Sequence, residues 1–254
     1  MANPYGTYTL FKRETKRFTR VWTQTLLAPV VSNLLYFAIF GLSLHRAIPD
    51  VQGVTYLQLL VPGLIIMGII NNAYQNPSSS IIIMKYQGII SDIMSIPLKR
   101  IELLIAFVSS AVLRGLIVGF ATYLTAIFFV DFQYVSIPVI ISSAILVSFF
   151  FAFVGLFTGI WADEFDKTAL VQNFIIMPLI FLGGVFYPIS TLPETIKTIS
   201  SINPIVHMIN LLRYGLTGVQ EFSLQTSYTV VIGCIIFVGS VTYLVLRNGW
   251  KLQD

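Results

Sequence analysis

The sequence predicts an all-α integral membrane protein with six transmembrane helices. Of its 254 residues, 56% are hydrophobic and 10% are charged, and the mean hydropathy is +0.83. A soluble domain carries roughly 25% charged residues, so the composition excludes a soluble globular protein. Six stretches are mostly apolar over the roughly 20 residues that a helix needs to cross a bilayer. They lie at about 24–44, 57–83, 101–130, 137–162, 168–190 and 228–247.

The distribution of Lys and Arg predicts that both termini lie in the cytosol. With the N-terminus inside, eleven of the 15 Lys and Arg residues fall in cytosolic segments, three fall outside and Arg114 lies within a span. The positive-inside rule favours this orientation. Topology also accounts for the net charge of +4, so we expect no nucleic-acid partner. We expect no removable signal peptide, because no short apolar core with a small-residue cleavage site follows the N-terminus.

An amphipathic helix is predicted at residues 8–22, before the first span. Phe11, Phe18 and Trp22 lie near one helical face, and basic residues occupy much of the remainder. These basic residues are Lys12, Arg13, Lys16, Arg17 and Arg20. The pattern favours an interfacial helix with its aromatic side in the headgroups and its basic side toward anionic lipid. The alternative is a solvated basic tail that only sets the orientation.

A second amphipathic helix is predicted in the polar segment Met84–Glu102, between the second and third spans. Its apolar residues recur at near-helical spacing and Pro97 closes it. They are Ile89, Ile90, Ile93, Met94 and Ile96. Such a segment can lie on the bilayer surface or press its apolar side into a groove on a soluble partner. We favour the partner, and predict that Asp at positions 93 and 94 weakens its binding without preventing membrane insertion.

Residues 183–220, after the fifth span, are broken repeatedly but remain apolar. Gly183, Gly184, Pro188, Pro193 and Pro204 interrupt any long helix. Irregular backbone at membrane depth must be buried in protein or line a cavity. We therefore predict short re-entrant helices that dip into the outer leaflet. A long loop lying on the outer surface is the alternative.

Polar side chains collect in the first two spans. Asn71, Asn72, Tyr74 and Asn76 crowd the later half of the second span, and Asn33 lies in the first. Amides that face lipid are costly, so these residues are expected to face protein or water. Part of the set is expected to line a substrate route, although hydrogen bonding between helices explains any one of them equally well. For Arg114 we favour a structural role over contact with an anionic substrate.

Several segments carry a resemblance to a known family. They are RVWTQTLLAPVVSNLLYFAIFG (20–41), YLQLLVPGLIIMGIINNAYQN (56–76), LRGLIVG (113–119), FLGGVFYPISTLP (181–193) and NPIVHMINLLRYG (203–215). In order and spacing they resemble the membrane subunit of type-2 ABC exporters, along nearly the whole chain. The resemblance implies one transmembrane permease domain over 1–254, a second permease, and two copies of a separate ATP-binding subunit.

The resemblance also implies roles for individual residues. A coupling helix at 86–97 would dock on the ATPase, through Tyr86, Gln87, Ile89, Ile90, Asp92, Ile93, Met94, Ile96 and Pro97. The N-terminal helix would lie at the same interface, through Phe11, Arg13, Arg17, Phe18 and Trp22. The substrate route would run between two permeases, past Asn33, Tyr36, Phe40, Asn71, Asn72, Tyr74, Asn76, Asn173 and Met177. The re-entrant region would include Gly183, Gly184, Pro188, Asn203, Pro204 and Arg213.

The function implied is the permease half of an ATP-driven exporter for an amphipathic or lipophilic substrate, in a bacterial inner membrane, as a homodimer in contact with lipid. The chain lacks G-x-x-x-x-G-K-[ST], so Mg-ATP is expected on the partner ATPase and no cofactor, metal or catalytic residue on this chain. An ion-coupled carrier is disfavoured because no Asp, Glu or His lies well inside a span. A non-transporting scaffold stays open as an alternative.

Overall fold

The computed structural model describes residues 3–44 and 53–249, apart from the side chains of 40–44 and Met94. The predicted contacts of Phe40 and Met94 therefore lie outside the described side chains. The regular elements of the described part are helical. The α-helices are α1 (Pro4–Arg20), α2 (Ala28–Leu44), α3 (Tyr56–Tyr86), α4 (Ile90–Ser95), α5 (Arg100–Ala126), α6 (Ile137–Trp161), α7 (Phe165–Val171), α8 (Met177–Leu182), α9 (Glu194–Ile202), α10 (Pro204–Thr217) and α11 (Leu224–Asn248).

Five helical segments are long and apolar enough to cross a membrane. They are Tyr56–Tyr86, Arg100–Ala126, Ile137–Trp161, Phe165–Leu182 and Leu224–Asn248, and they match the second to sixth predicted spans. The fifth ends at Leu182 rather than at residue 190, because Gly183 and Gly184 follow and Gly184 takes a positive φ of 77°. The apolar part described for the first span, Thr23–Ile39, is shorter than a full span, so the count of six stays a prediction.

Helix α3 is the centre of the fold. It packs against α5, α6, α10 and α2, and about three quarters of its residues are buried. At Gly155 of α6 an added Cβ would overlap the Tyr74 carbonyl, so the missing side chain lets α6 lie directly on α3. With 31 residues, α3 is about 46 Å long, which exceeds the roughly 30 Å hydrocarbon core. A helix longer than the core tilts, kinks or extends past it.

Helix α1 lies along α5 and continues almost directly into the first span. It begins at Pro4, earlier than predicted, because the Asn3 side chain accepts a hydrogen bond from the Gly6 amide at 2.9 Å and caps the helix. The Asn3 amide also donates to the Glu102 carboxylate at 2.6 Å, which joins the starts of α1 and α5. Helix α1 is therefore packed, and the alternative of a solvated basic tail is wrong. Phe18 faces this protein core rather than headgroups, a correction to the prediction, whereas Trp22 is exposed.

The broken region 183–220 folds into a turn, a short 3₁₀ helix (Ile189–Thr191), α9 and α10. Helix α10 is buried among α3, α6 and α11, so a loop lying on the surface is wrong for this part. We call this side of the bundle the α9 end. The opposite side, where α3 ends and α5 begins, is the α4 end.

Candidate functional site

The segment predicted to couple to an ATPase forms a shorter helix than expected. Tyr86 still belongs to α3, and Gly88 then takes a positive φ of 69° that turns the chain. Helix α4 covers only Ile90–Ser95, because Ile96 is extended before Pro97, as a residue preceding proline prefers. The predicted helix at 86–97 is thus the end of α3, a turn and a helix of six residues.

Burial divides the predicted coupling residues into two groups. Ile90 and Ile93 are buried in a cluster of this chain that includes Leu10 and Met84. Ile93 is 4% exposed, so an Asp there would disrupt the fold of this chain itself, and the predicted test at this position is corrected. The predicted coupling residues that are exposed are Tyr86, Gln87, Ile89, Asp92, Ile96 and Pro97.

An exposed aromatic contact extends this surface to the start of α7. Tyr86 stacks on Phe165 with ring centroids 5.5 Å apart, and both rings are exposed. Close by, the Lys85 ammonium donates to the carbonyls of Ile160 and Ala162 at 2.6 and 2.8 Å, which fastens the end of α3 to the end of α6. Sequence reasoning missed Phe165, because nothing in its local pattern shows which helix end it meets. We call Tyr86, Ile89, Ile96 and Phe165 the apolar docking surface.

A buried ionic group joins α1 to α3 near the α4 end. The Glu14 carboxylate, 0% exposed, accepts hydrogen bonds from Ser80 at 2.6 Å and from Arg17 at 3.1 Å. The Arg17 guanidinium also donates to the Asn76 carbonyl at 2.6 Å and to the Asn76 side chain at 3.0 Å. We call Glu14, Arg17, Asn76 and Ser80 the polar junction. Arg17 was expected to face lipid or the partner interface; instead its head points into the protein.

Arg114 lies one turn deeper than this junction. Its Nε donates to the Asn72 side chain at 3.1 Å, and Arg114 is buried. Asn72 stands 16 residues after Tyr56, about 24 Å along α3, so Arg114 meets α3 near the middle of that helix. This geometry fits the structural role that was favoured for Arg114.

Most of the polar residues predicted for the substrate route are bonded within the chain. Asn33 donates to Thr122 at 3.0 Å, Tyr74 to the Thr168 carbonyl at 2.9 Å and Asn76 to Ser110 at 3.1 Å. All three are buried, as is Asn72. In this structure their hydrogen bonds connect helices, which was the alternative to lining a substrate route. The predicted route residues whose side chains are not buried are Tyr36, Asn71, Asn173 and Met177.

Two π-helical turns occur at equivalent places in the first and fifth spans. They cover Thr23–Leu27 and Gln172–Ile176, and a proline, Pro29 or Pro178, stands two residues after the end of each turn. A proline has no N–H for the carbonyl four residues before it, and in both turns the preceding amide bonds five residues back instead. The sequences TQTLLAP and QNFIIMP share this spacing, a signal that sequence reasoning could have used. Single π turns are frequent at functional sites.

The second π turn carries an exposed polar strip. Asn173 is exposed, Gln172 donates to Asn71 at 3.4 Å, and Gln75 donates to Gln172 at 3.3 Å. Only 11% of the 18 residues of the segment Phe165–Leu182 are buried, the lowest share among the apolar stretches of the five long segments. Amides on such a face are costly in lipid, so this face of the fifth span is suited to contact protein or water.

At the α9 end, an ion pair holds the broken region together. Arg213, 3% exposed at its side chain, lies 3.3 Å from Glu221 and donates to the Gly184 carbonyl at 2.8 Å. Glu221 in turn accepts from the Ile189 amide at 2.9 Å, just after Pro188. Asn203 caps α10, whose first residue is Pro204, through the Ile205 amide at 3.0 Å. The predicted residues of this region are therefore packing and capping residues.

Comparisons with known proteins agree with this architecture. The sequence model of the ABC-2 type transporter family matches residues 5–217. The chain is 36% identical over 245 residues to the inner membrane transport permease YadH of Escherichia coli, with 96% of each chain covered. It is 22% identical over 217 residues to nodulation protein J of Sinorhizobium fredii, with 84% of this chain and 81% of that protein covered.

Proposed function

Because the chain belongs to the ABC-2 type transporter family, we propose that it is the membrane-spanning permease subunit of an ATP-driven exporter. It is a membrane-embedded transport permease, and permeases of this family work with ATP-binding subunits. In the proposed assembly, two copies of the chain pair with two ATPase subunits, which bind Mg-ATP. We place it in a bacterial inner membrane with six spans, re-entrant helices at the α9 end, and both termini and the α4 end in the cytosol.

The apolar docking surface is the single observation that carries ATPase coupling. Four exposed apolar side chains from three segments lie at one end of the bundle, where α3 ends. Ile90 and Ile93 anchor α4 in a buried cluster with residues of α1, α3 and α5, so a force applied to the exposed face passes into the spans. Motion of the ATPases would then repack the spans between inward and outward openings.

The substrate is proposed to move between the two permeases, along the faces of the first and fifth spans. Support comes from the exposed amides at the second π turn, together with Tyr36 and Met177. Phe174 and Phe181 are exposed on the same segment as Asn173. A face that mixes amides with aromatic and apolar side chains suits an amphipathic or lipophilic molecule.

The test compares three variants of the tagged full-length permease. Ile96→Asp alters an apolar side chain that is 45% exposed at the α4 end, and Ile202→Asp makes the same change at an exposed site at the α9 end. Ile93→Asp is the buried counterpart. After mild-detergent extraction, we expect a stoichiometric ATP-binding subunit with the wild type and with Ile202→Asp, and a strong loss with Ile96→Asp.

The outcomes separate the competing functions. Ile93→Asp is expected to lower the amount of folded permease itself. The amount of ATPase recovered is therefore divided by the amount of permease recovered for each variant. If no ATPase co-purifies with the wild type even after crosslinking, the exporter proposal fails and a scaffold or a carrier replaces it. If the ATPase is recovered equally with Ile96→Asp, the assembly stands but this docking surface is wrong.

A further inference from the structure

A groove on an apolar outer side of the bundle lies apart from the docking surface and from the proposed route. Its volume is about 490 Å³, and its walls come from α3, α5, α6 and α10. Its lining residues include Ile65 of α3 and Leu212 of α10, and no charged residue lines it. Phe120 and Ile141, also lining residues, are 62% and 55% exposed, so the groove opens sideways between α5 and α6.

Small residues create this groove. Gly119 brings α5 so close to α3 that an added Cβ would lie 2.6 Å from Ile69. Ala144 leaves space on the α6 wall. The α6 part of the lining runs from Ile137 to Ile145, about 12 Å along the helix. That length is close to the ~15 Å depth of one leaflet's hydrocarbon.

Two tyrosine hydroxyls stand at the mouth of the groove. The hydroxyls of Tyr123 and Tyr134 are 2.8 Å apart, and both residues belong to the lining. A bond between two hydroxyls uses one of their two protons, so the other proton remains for an outside acceptor. Tyrosine combines an apolar ring with a polar tip and is enriched where membrane meets water.

The backbone at Tyr134 is held in a costly conformation. Its φ is +51°, the one positive φ of a residue other than glycine in the described part of the chain. For a residue with a Cβ this region costs roughly 1–2 kcal/mol. The amides of Gln133 and Tyr134 both donate to the Leu216 carbonyl at 3.2 Å, which holds the turn. The strain brings the Tyr134 hydroxyl to Tyr123 across the groove mouth, and backbone strain of this kind is concentrated at functional sites.

We propose that the groove binds one acyl chain of a bilayer phospholipid, from the leaflet at the α9 end. The acyl chain lies against the aliphatic walls, and an ester or phosphate oxygen accepts the free tyrosine proton. The occupant is a phospholipid because the groove faces the hydrocarbon directly, spans one leaflet and carries its hydroxyl pair at the interfacial end. An uncharged lining does not require an anionic headgroup, so a zwitterionic lipid suffices. This site serves the permease independently of ATP and of the ATPase.

The experiment uses the full-length chain in nanodiscs of phosphatidylcholine that contain a trace of phosphatidylcholine with a photoreactive acyl chain. After illumination, mass spectrometry maps the labelled residues. We expect label to be concentrated on Phe120, Ile137 and Ile141, without ATP or any partner. Even labelling over the exposed faces of α5, α6 and α11 would overturn the proposal, as would groove labelling that appears only with the ATPase and ATP.

Variants give an independent check. Ala144→Phe fills the groove and should lower groove labelling about tenfold, as expected when about two methylenes lose their burial. Gly233→Phe is the matched control, because nothing lies within 4 Å of a Cβ at that exposed position of α11. The double change Tyr123→Phe with Tyr134→Phe removes both hydroxyls, and with them the proton available to the lipid, so it should weaken retention of the lipid about fivefold. Full groove labelling in Ala144→Phe, with a wild-type melting profile, would refute the site.

Discussion

Replacing Arg17, the cation of the polar junction, should destabilise the permease more than replacing any other basic residue of α1. Arg17→Met leaves the Glu14 carboxylate, 0% exposed, without its close ionic partner and removes both bonds to Asn76. Breaking a buried pair from one side costs 3–5 kcal/mol. The Arg17 side chain is 26% exposed, so water reaches part of the pair. We therefore expect about 3 kcal/mol, the lower end of that range.

Arg13→Met is the control for this change. It removes the same charge from the neighbouring position, but Arg13 is 43% exposed at its side chain and its Nε lies 3.8 Å from Glu14. Exposed ion pairs contribute about 0–1 kcal/mol, so Arg13→Met should be nearly neutral. Glu14→Gln removes the buried charge, and the double variant with Arg17→Met should cost at least about 1.5 kcal/mol less than the sum of the single changes.

Thermal unfolding can be followed through the single cysteine of the chain. Cys234 is half-buried in α11, and a thiol-reactive fluorophore reports its exposure as the protein unfolds. For a chain of about this size, 1 kcal/mol shifts the Tm by roughly 2–4 °C, so Arg17→Met should lower it by about 6–12 °C. Equal melting of Arg17→Met and Arg13→Met, or simple additivity in the double variant, would refute the junction as a stabilising element.

Three further changes test other parts of the fold. Gly155→Ala should sharply reduce recovery of monodisperse protein, because its Cβ would overlap the Tyr74 carbonyl, whereas Gly233→Ala should leave recovery unchanged; size-exclusion profiles compare them. Asn33→Leu should cost about 1 kcal/mol of stability, because it removes the hydrogen bond to Thr122. Transport by the assembled complex should stay intact, and a loss of transport would indicate that Asn33 binds the substrate. Pro29→Ala and Pro178→Ala restore the missing amide and should favour a regular α-helix over each π turn. Losing the turn rotates the rest of the span by about 100°. We expect normal melting but less substrate transported per ATP hydrolysed, and an unchanged ratio would exclude a role for the turns.

The coarse architecture followed from composition and periodicity. The second to sixth spans were predicted within a few residues at most ends, because a helix in lipid must satisfy its own backbone and needs a fixed apolar length. The largest difference, the early end of the fifth span at Leu182, had its cause in two adjacent glycines. A pair of glycines that ends a helix can be recognised in a sequence, even where the hydropathy alone would extend the span.

Residue roles were harder to predict because burial depends on distant partners. Ile93 and Ile96 belong to one apolar pattern, but only the packing of α4 into the cluster that contains Leu10 and Met84 decides that Ile93 is buried and Ile96 exposed. Asn76 looked like a route residue, and it is instead bonded to Ser110 and Arg17, 34 and 59 residues away along the chain. A pattern along one helix cannot show which neighbour satisfies a polar group.

By itself the sequence determined that this protein is a helical membrane protein of the ABC-2 type, since apolar length, charge bias and motif order are properties of the chain alone. Only the tertiary structure decided that Glu14 and Arg17 join α1 to Ser80 and Asn76 of α3. It also decided that Tyr123 and Tyr134 meet over a groove. It also decided that the exposed docking surface combines the end of α3 with the start of α7. The physical reason is that hydrophobic length acts locally, whereas the satisfaction of a polar group and the exposure of an apolar one depend on side chains that folding brings from elsewhere.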